Sequence, residues 1–348
     1  MNVPENRIMK WSAWFLTSLV GVLILFVANV AIGTVSIPVP DVMRIVLGGS
    51  VSDVSMHEVW SNIIFKSRIP QALTAIVCGA GLSVAGLQMQ TVFRNPLAGP
   101  SVLGVSSGAS FGVALMVLLS GTIGGTAMSR LGLYGNVAMT IGAAMGALAV
   151  MAIIAFVARR VKGNVTLLIV GVMIGYIAKA VIGVMKYFSV AEDVHSYTIW
   201  GLGSFSGVSS EQIGLFAILM LVFLLFAMLL VKPLNLLLLG ENYARNLGLN
   251  VERAVMLIII SSGLIVAIAT AFCGPVSFIG LAVPHLCRGL FRTSDHRILM
   301  PATMFVGAFL ALACNLIARL PGAEGALPVN SVTSLIGAPV VIWILFRK

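Results

Sequence analysis

The chain has 348 residues, of which 59% are hydrophobic and only 9% charged, with a mean hydropathy of +1.08. A soluble domain carries about a quarter charged residues, so this composition excludes one and indicates an all-α polytopic membrane protein, a single transmembrane domain over residues 1–348. The net charge of +10 does not speak for nucleic acid, because the basic residues sit in short loops between apolar runs and not on one exposed face.

Arg7 and Lys10 precede a charge-free run over 11–33, too long for a signal-peptide core, which reads as a retained first span with its N-terminus inside. Residues 34–68 form a polar outer loop, and Pro38 and Pro40 predict an extended or turn-like start to it. Further spans are expected over 70–93, 101–120, 131–158, 165–190 and 212–231. A partly polar insert over 232–253 follows. In it Leu236, Leu239, Tyr243 and Leu247 recur at helical spacing while Gly240 and Gly248 interrupt, so it reads as two short amphipathic helices. Glu241 and Arg245 stand four apart on the second, a favourable spacing for an ion pair. Either a surface loop or a docking element for a soluble partner fits this stretch. Residues 254–287 are longer than one span needs and split at Gly274-Pro275 into a seventh span and a short eighth; 298–318 and 331–346 complete ten.

With the N-terminus inside, ten spans place Arg7, Lys10, Arg94, Arg159, Arg160, Lys162, Lys232, Arg245, Arg253, Arg288, Arg292, Arg297, Arg347 and Lys348 in the cytoplasm. The outside receives Arg44, Lys66, Arg68, Arg130, Lys186 and Arg319. That bias, roughly two to one, obeys the positive-inside rule and puts the insert and both termini in the cytoplasm. The Gly99-Pro100 and Gly274-Pro275 turns, at opposite faces, hint that spans two to five and seven to ten are inverted copies. Gly104, Gly108 and Gly112, then Gly142 and Gly146, then Gly171 and Gly175 form small-residue faces for close helix packing.

No phosphate-binding Gly-x-x-x-x-Gly-Lys-[Ser/Thr] occurs, so any ATP that drives this chain is held by a partner. Cys78, Cys273, Cys287 and Cys314 lie in or beside apolar runs without Cys-x-x-Cys spacing, and neither a disulfide framework nor a metal site is indicated. Gly104-Val-Ser-Ser-Gly108 has the form of a nucleophile elbow around Ser106, with His285 as a conceivable base, but the stretch reads as a glycine-faced helix. Lys179 is the most informative residue. A cation near a span's middle costs about 2.5 to 3.5 kcal/mol, so it faces protein or water. Tyr176, Gly183 and Lys186 share its stripe, which reads as a pathway wall favouring an anionic cargo; the alternative is that Lys186 snorkels outward and Lys179 pairs with a buried acid or carbonyl.

Several collinear motifs resemble one family. Arg68-Ile-Pro, Gln88-Met-Gln, Arg94-Asn-Pro-Leu-Ala-Gly-Pro, Leu239-Gly-Glu-x-x-Ala-Arg-x-Leu-Gly, Phe278-Ile-Gly-Leu-x-Val-Pro-His and Leu335-Ile-Gly-Ala-Pro are similar to those of FecCD-type permeases, the membrane subunits of type II ABC importers for cobalamin, haem and ferric siderophores. The resemblance implies ten helices per subunit, a dimer around a central pathway, two cytoplasmic ATPase subunits that bind ATP and Mg, and a periplasmic or lipid-anchored binding protein, in the cytoplasmic membrane of a prokaryote. It implies that Gly240, Glu241, Ala244, Arg245, Leu247 and Gly248 couple to the ATPase. Asn95 and Leu97 match a cytoplasmic gate, whose second layer falls here on Asn164 and Val165 in place of the usual Thr-Ser pair. Arg68 and Arg319, with Lys66, match the outer positions that meet acidic groups of the binding protein, although Gln71 stands where the second arginine of Arg-x-Pro-Arg is usual. The chain is thus expected to be a non-catalytic subunit importing an anionic iron complex, with cobalamin as the alternative cargo. A gradient-driven secondary transporter and a serine hydrolase built on Ser106 are the readings from other classes.

Overall fold

The computed structural model describes residues 5–49, 54–124, 133–158, 160, 164–320 and 327–346. After α1 (Glu5–Ala31), two short helices, α2 (Val39–Val46) and α3 (His57–Ile63), occupy the outer loop, and a π-helical turn (Ile64–Arg68) runs from α3 into α4 (Ile69–Val92). Then come α5 (Val105–Gly124), α6 (Leu133–Ala158), α7 (Asn164–Phe188), α8 (Ala191–Gly201), α9 (Ile213–Leu229), α10 (Val231–Leu238), α11 (Glu241–Asn246), α12 (Val251–Cys273), α13 (Ile279–Phe291), α14 (His296–Ala318) and α15 (Val329–Phe346). Among the described residues there is no strand.

Among the described residues six helical runs are long and apolar enough to cross a membrane, apolar α9 continues into α10 across a 48° bend, and α5, α13 and α15 supply three shorter apolar helices. These ten coincide with the ten expected spans. Two details differ. Pro40 lies inside the first turn of α2 and does not hold the chain extended, because a proline there forfeits only an N–H that has no helical partner anyway. Helix α8 was not foreseen, since its polar sequence Ala-Glu-Asp-Val-His-Ser-Tyr-Thr lacks a span-length apolar run.

The pattern of neighbours repeats. Helix α4 packs on α14 as α12 packs on α6; α5 packs on α6 as α13 on α14; α5 on α7 as α13 on α15; and α4 on α13 as α12 on α5. An inverted repeat of spans two to five and seven to ten requires this correspondence. Each copy enters its second helix through an irregular turn. One is the 3-10 turn Pro100–Leu103 closed by Gly104 at φ 76°, and the other runs from Gly274 at φ 70° to Phe278 at φ 65°.

Helix α4 is the centre of the molecule, buried at every residue from Cys78 to Val92. Its small residues allow this. A Cβ on Gly86 would stand 1.7 Å from Gly280 O, so α4 and α13 touch backbone to backbone. The glycine faces read from the sequence meet one another: Gly104 lies against Gly171, Gly108 against Gly146, and Gly112 against Gly142, where a Cβ on Gly112 would stand 1.9 Å from the Gly142 carbonyl oxygen. Ser106 Oγ pairs with Thr270 Oγ1 at 3.3 Å within the bundle, while His285 bonds Pro96 O, so the elbow on α5 has no imidazole beside it.

Candidate coupling, gating and transport site

The insert forms the two short helices expected of it. Val231, Leu234 and Leu237 are buried along one face of α10, which seats it on α4 and α14. Gly240, at φ 113° and ψ 145°, makes the corner into α11, a backbone conformation that a Cβ strongly disfavours. Ala244 is fully buried beneath α11. Leu239, Tyr243 and Leu247, apolar positions at helical spacing, are 60%, 56% and 55% exposed. The insert's buried register is instead Leu234, Leu237 and Ala244, because Gly240 turns the chain and resets the helical phase. A row of exposed apolar side chains beyond the membrane span, beside Glu241 and Arg245, is the signature of a surface meant to be covered by protein. Next to it a cleft of about 520 Å³ is lined by Arg94, Leu239, Gly240, Tyr243 and Asn246 among others. Arg245 Nη2 donates to Glu252 Oε1 at 3.0 Å across the Gly248 turn, tying α11 to α12.

The segment after α4 is held from several sides. Asn95 Oδ1 accepts from Leu97 N at 2.9 Å, a local turn that shapes the loop. Arg94, at φ 46°, donates from Nη2 to Leu237 O of α10 at 3.1 Å. His285 of α13 lies 2.7 Å from Pro96 O; a carbonyl only accepts, so Nε2 carries the hydrogen. Arg288 Nη1 donates to Gln90 Oε1 at 2.6 Å, and Gln90 Nε2 to Leu281 O at 3.1 Å. A second, buried route joins the same elements. Asn235 of α10 donates to Asp295 Oδ1 at 2.6 Å, and its Oδ1 accepts from both His296 N and His296 Nδ1 at 2.8 Å. His296 Nε2 lies 2.8 Å from Thr91 Oγ1 near the end of α4, and the Thr91 hydroxyl donates to Leu87 O at 2.9 Å. Helix α10 is therefore connected twice to the end of α4 and the loop after it, by Arg94 and through Asn235, His296 and Thr91. Helix α7 begins at Asn164, and the side chains of Asn164 and Val165 lie outside the described residues.

At the opposite end Arg68 departs from its expected place. It is 1% exposed, and its guanidinium donates to Val30 O at 2.9 Å, Ala31 O at 2.8 Å and Val35 O. The Val30 and Ala31 carbonyls end α1 and need donors, and a long buried arginine satisfies them. Arg319 is 6% exposed, and its Nη1 has no hydrogen-bond partner. Burial, and then the neighbouring Arg68 charge, lower its pKa to about 10. Lys66 alone of the three expected docking residues is exposed. Gln71 is drawn inward, donating to Asn315 Oδ1 at 3.0 Å, while Asn315 donates to Asn29 Oδ1 at 2.8 Å. That amide ladder joins α4, α14 and α1 and explains why no arginine stands at 71.

On α7, Tyr176 is 63% exposed, Lys179 is exposed without an ion pair to any described residue, and no atom lies within 4 Å of a Cβ built on Gly183. Lys186 separates from this stripe, its Nζ resting 4.5 Å from the centroid of the Tyr197 ring on α8. A cation in mid-span on an open helix face is not compatible with lipid, so this face is covered by protein or water.

Residues 21–347 match the FecCD transport family. The chain belongs to the FecCD family. It is 39% identical over 286 residues to the vitamin B12 import system permease protein BtuC of Klebsiella pneumoniae, covering 82% of each chain. It is 33% identical over 331 residues to the hemin transport system permease protein HmuU of Yersinia pestis, covering 95% of this chain and 96% of that one. A solved structure described as an inward-facing metal-chelate type ABC transporter superposes with a TM-score of 0.81 at 29% identity, over 96% of this chain and 99% of the other. The molecule is thus an ABC importer permease with the type II fold, a multi-pass membrane protein, and the gradient-driven and hydrolase readings lapse.

Within the FecCD frame, two polar groups had no sequence signal strong enough to single them out. His296 opens α14 at an unremarkable position until the fold brings it to Asn235 and Thr91, whereas His285, read from the sequence as a conceivable base and as the end of a motif, is brought to Pro96 O. Asp193 of α8 is fully buried with neither carboxylate oxygen hydrogen-bonded, and burial, reinforced by Glu192, raises its pKa.

Proposed function

We propose that two copies of this chain form the membrane core of an importer whose cargo is an iron complex, a ferric siderophore or haem. In this reading the insert over 232–253 lies in the cytoplasm with both termini, and two ATPase subunits cover the exposed Leu239, Tyr243 and Leu247. ATP and Mg are held by those subunits, and this chain binds no cofactor and catalyses no reaction of its own. A periplasmic or lipid-anchored binding protein docks at the end carrying Lys66, with Arg319 Nη1 as a donor still available for one of its carboxylates. The buried Arg68 acts by fixing the end of α1.

The cargo assignment is carried by one observation, the exposed mid-span Lys179 with no acidic partner among the described residues. In an apolar pathway one uncompensated cation favours an anionic cargo over a nearly neutral one. The test is ATP-dependent uptake by proteoliposomes containing the permease, its ATPase and its binding protein, offered haem, a ferric siderophore and cobalamin in turn. Uptake of an iron complex that falls at least ten-fold in Lys179→Gln supports the reading, and transport of cobalamin with Lys179→Gln fully active overturns it. Cobalamin is the second reading, favoured by the higher identity to BtuC than to HmuU.

A further inference from the structure

Apart from the transport route, the start of α1 and the end of α13 enclose a cleft of about 590 Å³, lined by Lys10, Trp11, Trp14, Gly289, Phe291 and Arg292 among its residues. Lys10 and Arg292 are both exposed, and neither forms an ion pair with a described residue. Two positive charges therefore share one cleft with no acidic partner among the described residues. The wall between them is rigid: Trp11 Nε1 donates to Phe291 O at 2.9 Å, which pins α1 to the last turn of α13.

The position of the cleft along the membrane identifies its ligand. The apolar run of α1 extends over Met9–Ala31, so Lys10, Trp11 and Trp14 lie at its very end, at headgroup depth, where indoles and snorkelling cations concentrate. From there Val20 and Ile24 continue an exposed apolar track along the Lys10 side of α1. Cations at the headgroup level, flat indoles below them and an apolar track leading into the bilayer complement, in that order, a phosphate, a glycerol backbone and an acyl chain. We propose that this cleft binds an anionic phospholipid of the adjoining leaflet, with Lys10 and Arg292 meeting its phosphate. A zwitterionic lipid is disfavoured because its own ammonium group meets the same two cations. The proposal requires only that the chain spans a membrane and is independent of the cargo.

Native mass spectrometry of the purified permease with its ATPase, titrated with phosphatidylglycerol or phosphatidylcholine of matched chains, tests it. Near a membrane surface each basic residue contributes about a five-fold gain in affinity for an anionic lipid. Lys10→Gln and Arg292→Gln are each expected to weaken phosphatidylglycerol binding by that factor, and the pair by about 30-fold, with phosphatidylcholine binding unchanged. Gly289→Leu supplies an independent arm. A Cβ there meets no atom within 4 Å, so the side chain enters the cleft without disturbing the fold or the charges, and loss of phosphatidylglycerol is again expected. Equal retention of phosphatidylglycerol by the wild type and the double variant overturns the proposal, as does equal binding of the two lipids. Displacement of the lipid by millimolar glycerol 3-phosphate would assign the cleft to soluble phosphates and overturn it as well.

Discussion

The bond from His285 to Pro96 O lends itself to a direct test of gating. It joins α13 to the segment bearing Asn95 and Leu97 at 2.7 Å, while Arg94 joins the same segment to α10 at 3.1 Å. A neutral hydrogen bond contributes about 1 kcal/mol net and one from a charged donor about 1.5 to 3 kcal/mol. If both hold the segment closed, His285→Ala raises the open fraction about five-fold and Arg94→Ala about ten-fold or more. The two anchors lie on different helices, so the effects multiply in the double variant. All four native cysteines are buried, which makes Leu97→Cys, at a half-exposed position, a clean reporter. The rate at which a bulky maleimide modifies it in the nucleotide-free complex reads the open fraction. Unchanged labelling in both His285→Ala and Arg94→Ala would refute the clamp, and His285→Gln, which keeps an N–H donor, is expected to fall between wild type and alanine.

Three further outcomes are expected. Gly86→Ala forces a methyl group into the Gly280 carbonyl, 1.7 Å away, and should lower stability in detergent by at least about 1 to 3 kcal/mol, whereas Gly183→Ala meets open space and should stabilise α7 by up to about 1 kcal/mol; thermal unfolding of the two variants checks the contrast. Asp193→Asn should raise the melting temperature at neutral pH. Its buried carboxyl has a raised pKa, so the folded chain bears a penalty that is present above the folded pKa and fades as pH falls and the acid protonates; the advantage of the variant should disappear towards the ordinary aspartate range. Glu252→Ala breaks an ion pair exposed on both sides and should change stability by less than about 1 kcal/mol, yet both it and Arg245→Ala should alter the ratio of ATP hydrolysed to cargo moved in reconstituted vesicles, since the pair orients α11.

Much of this architecture is written in local pattern. Span-length apolar runs, interrupted by charged loops, located all ten membrane helices, because a helix crossing a bilayer must satisfy its backbone internally and can afford few charges. Glycines four apart marked the contacts of α5 with α6 and α7, since only a missing Cβ lets two backbones meet. Gly274-Pro275 divided α12 from α13 for an equally local reason, the positive φ of Gly274.

What the tertiary structure alone decided is which polar groups face which. Arg68 looks like an outward docking group on paper, but the fold brings the end of α1 to it and unsatisfied carbonyls take its hydrogen bonds, while Asn315 of α14 takes that of Gln71. Leu239, Tyr243 and Leu247 stand exposed while Leu234, Leu237 and Ala244 are buried, because the positive φ of Gly240 shifts the helical phase. The links from His285 to Pro96 and from Asn235 through His296 to Thr91 span between 61 and 205 positions along the chain. No period or motif encodes such separations, for they arise only when non-adjacent helices are packed in one bundle.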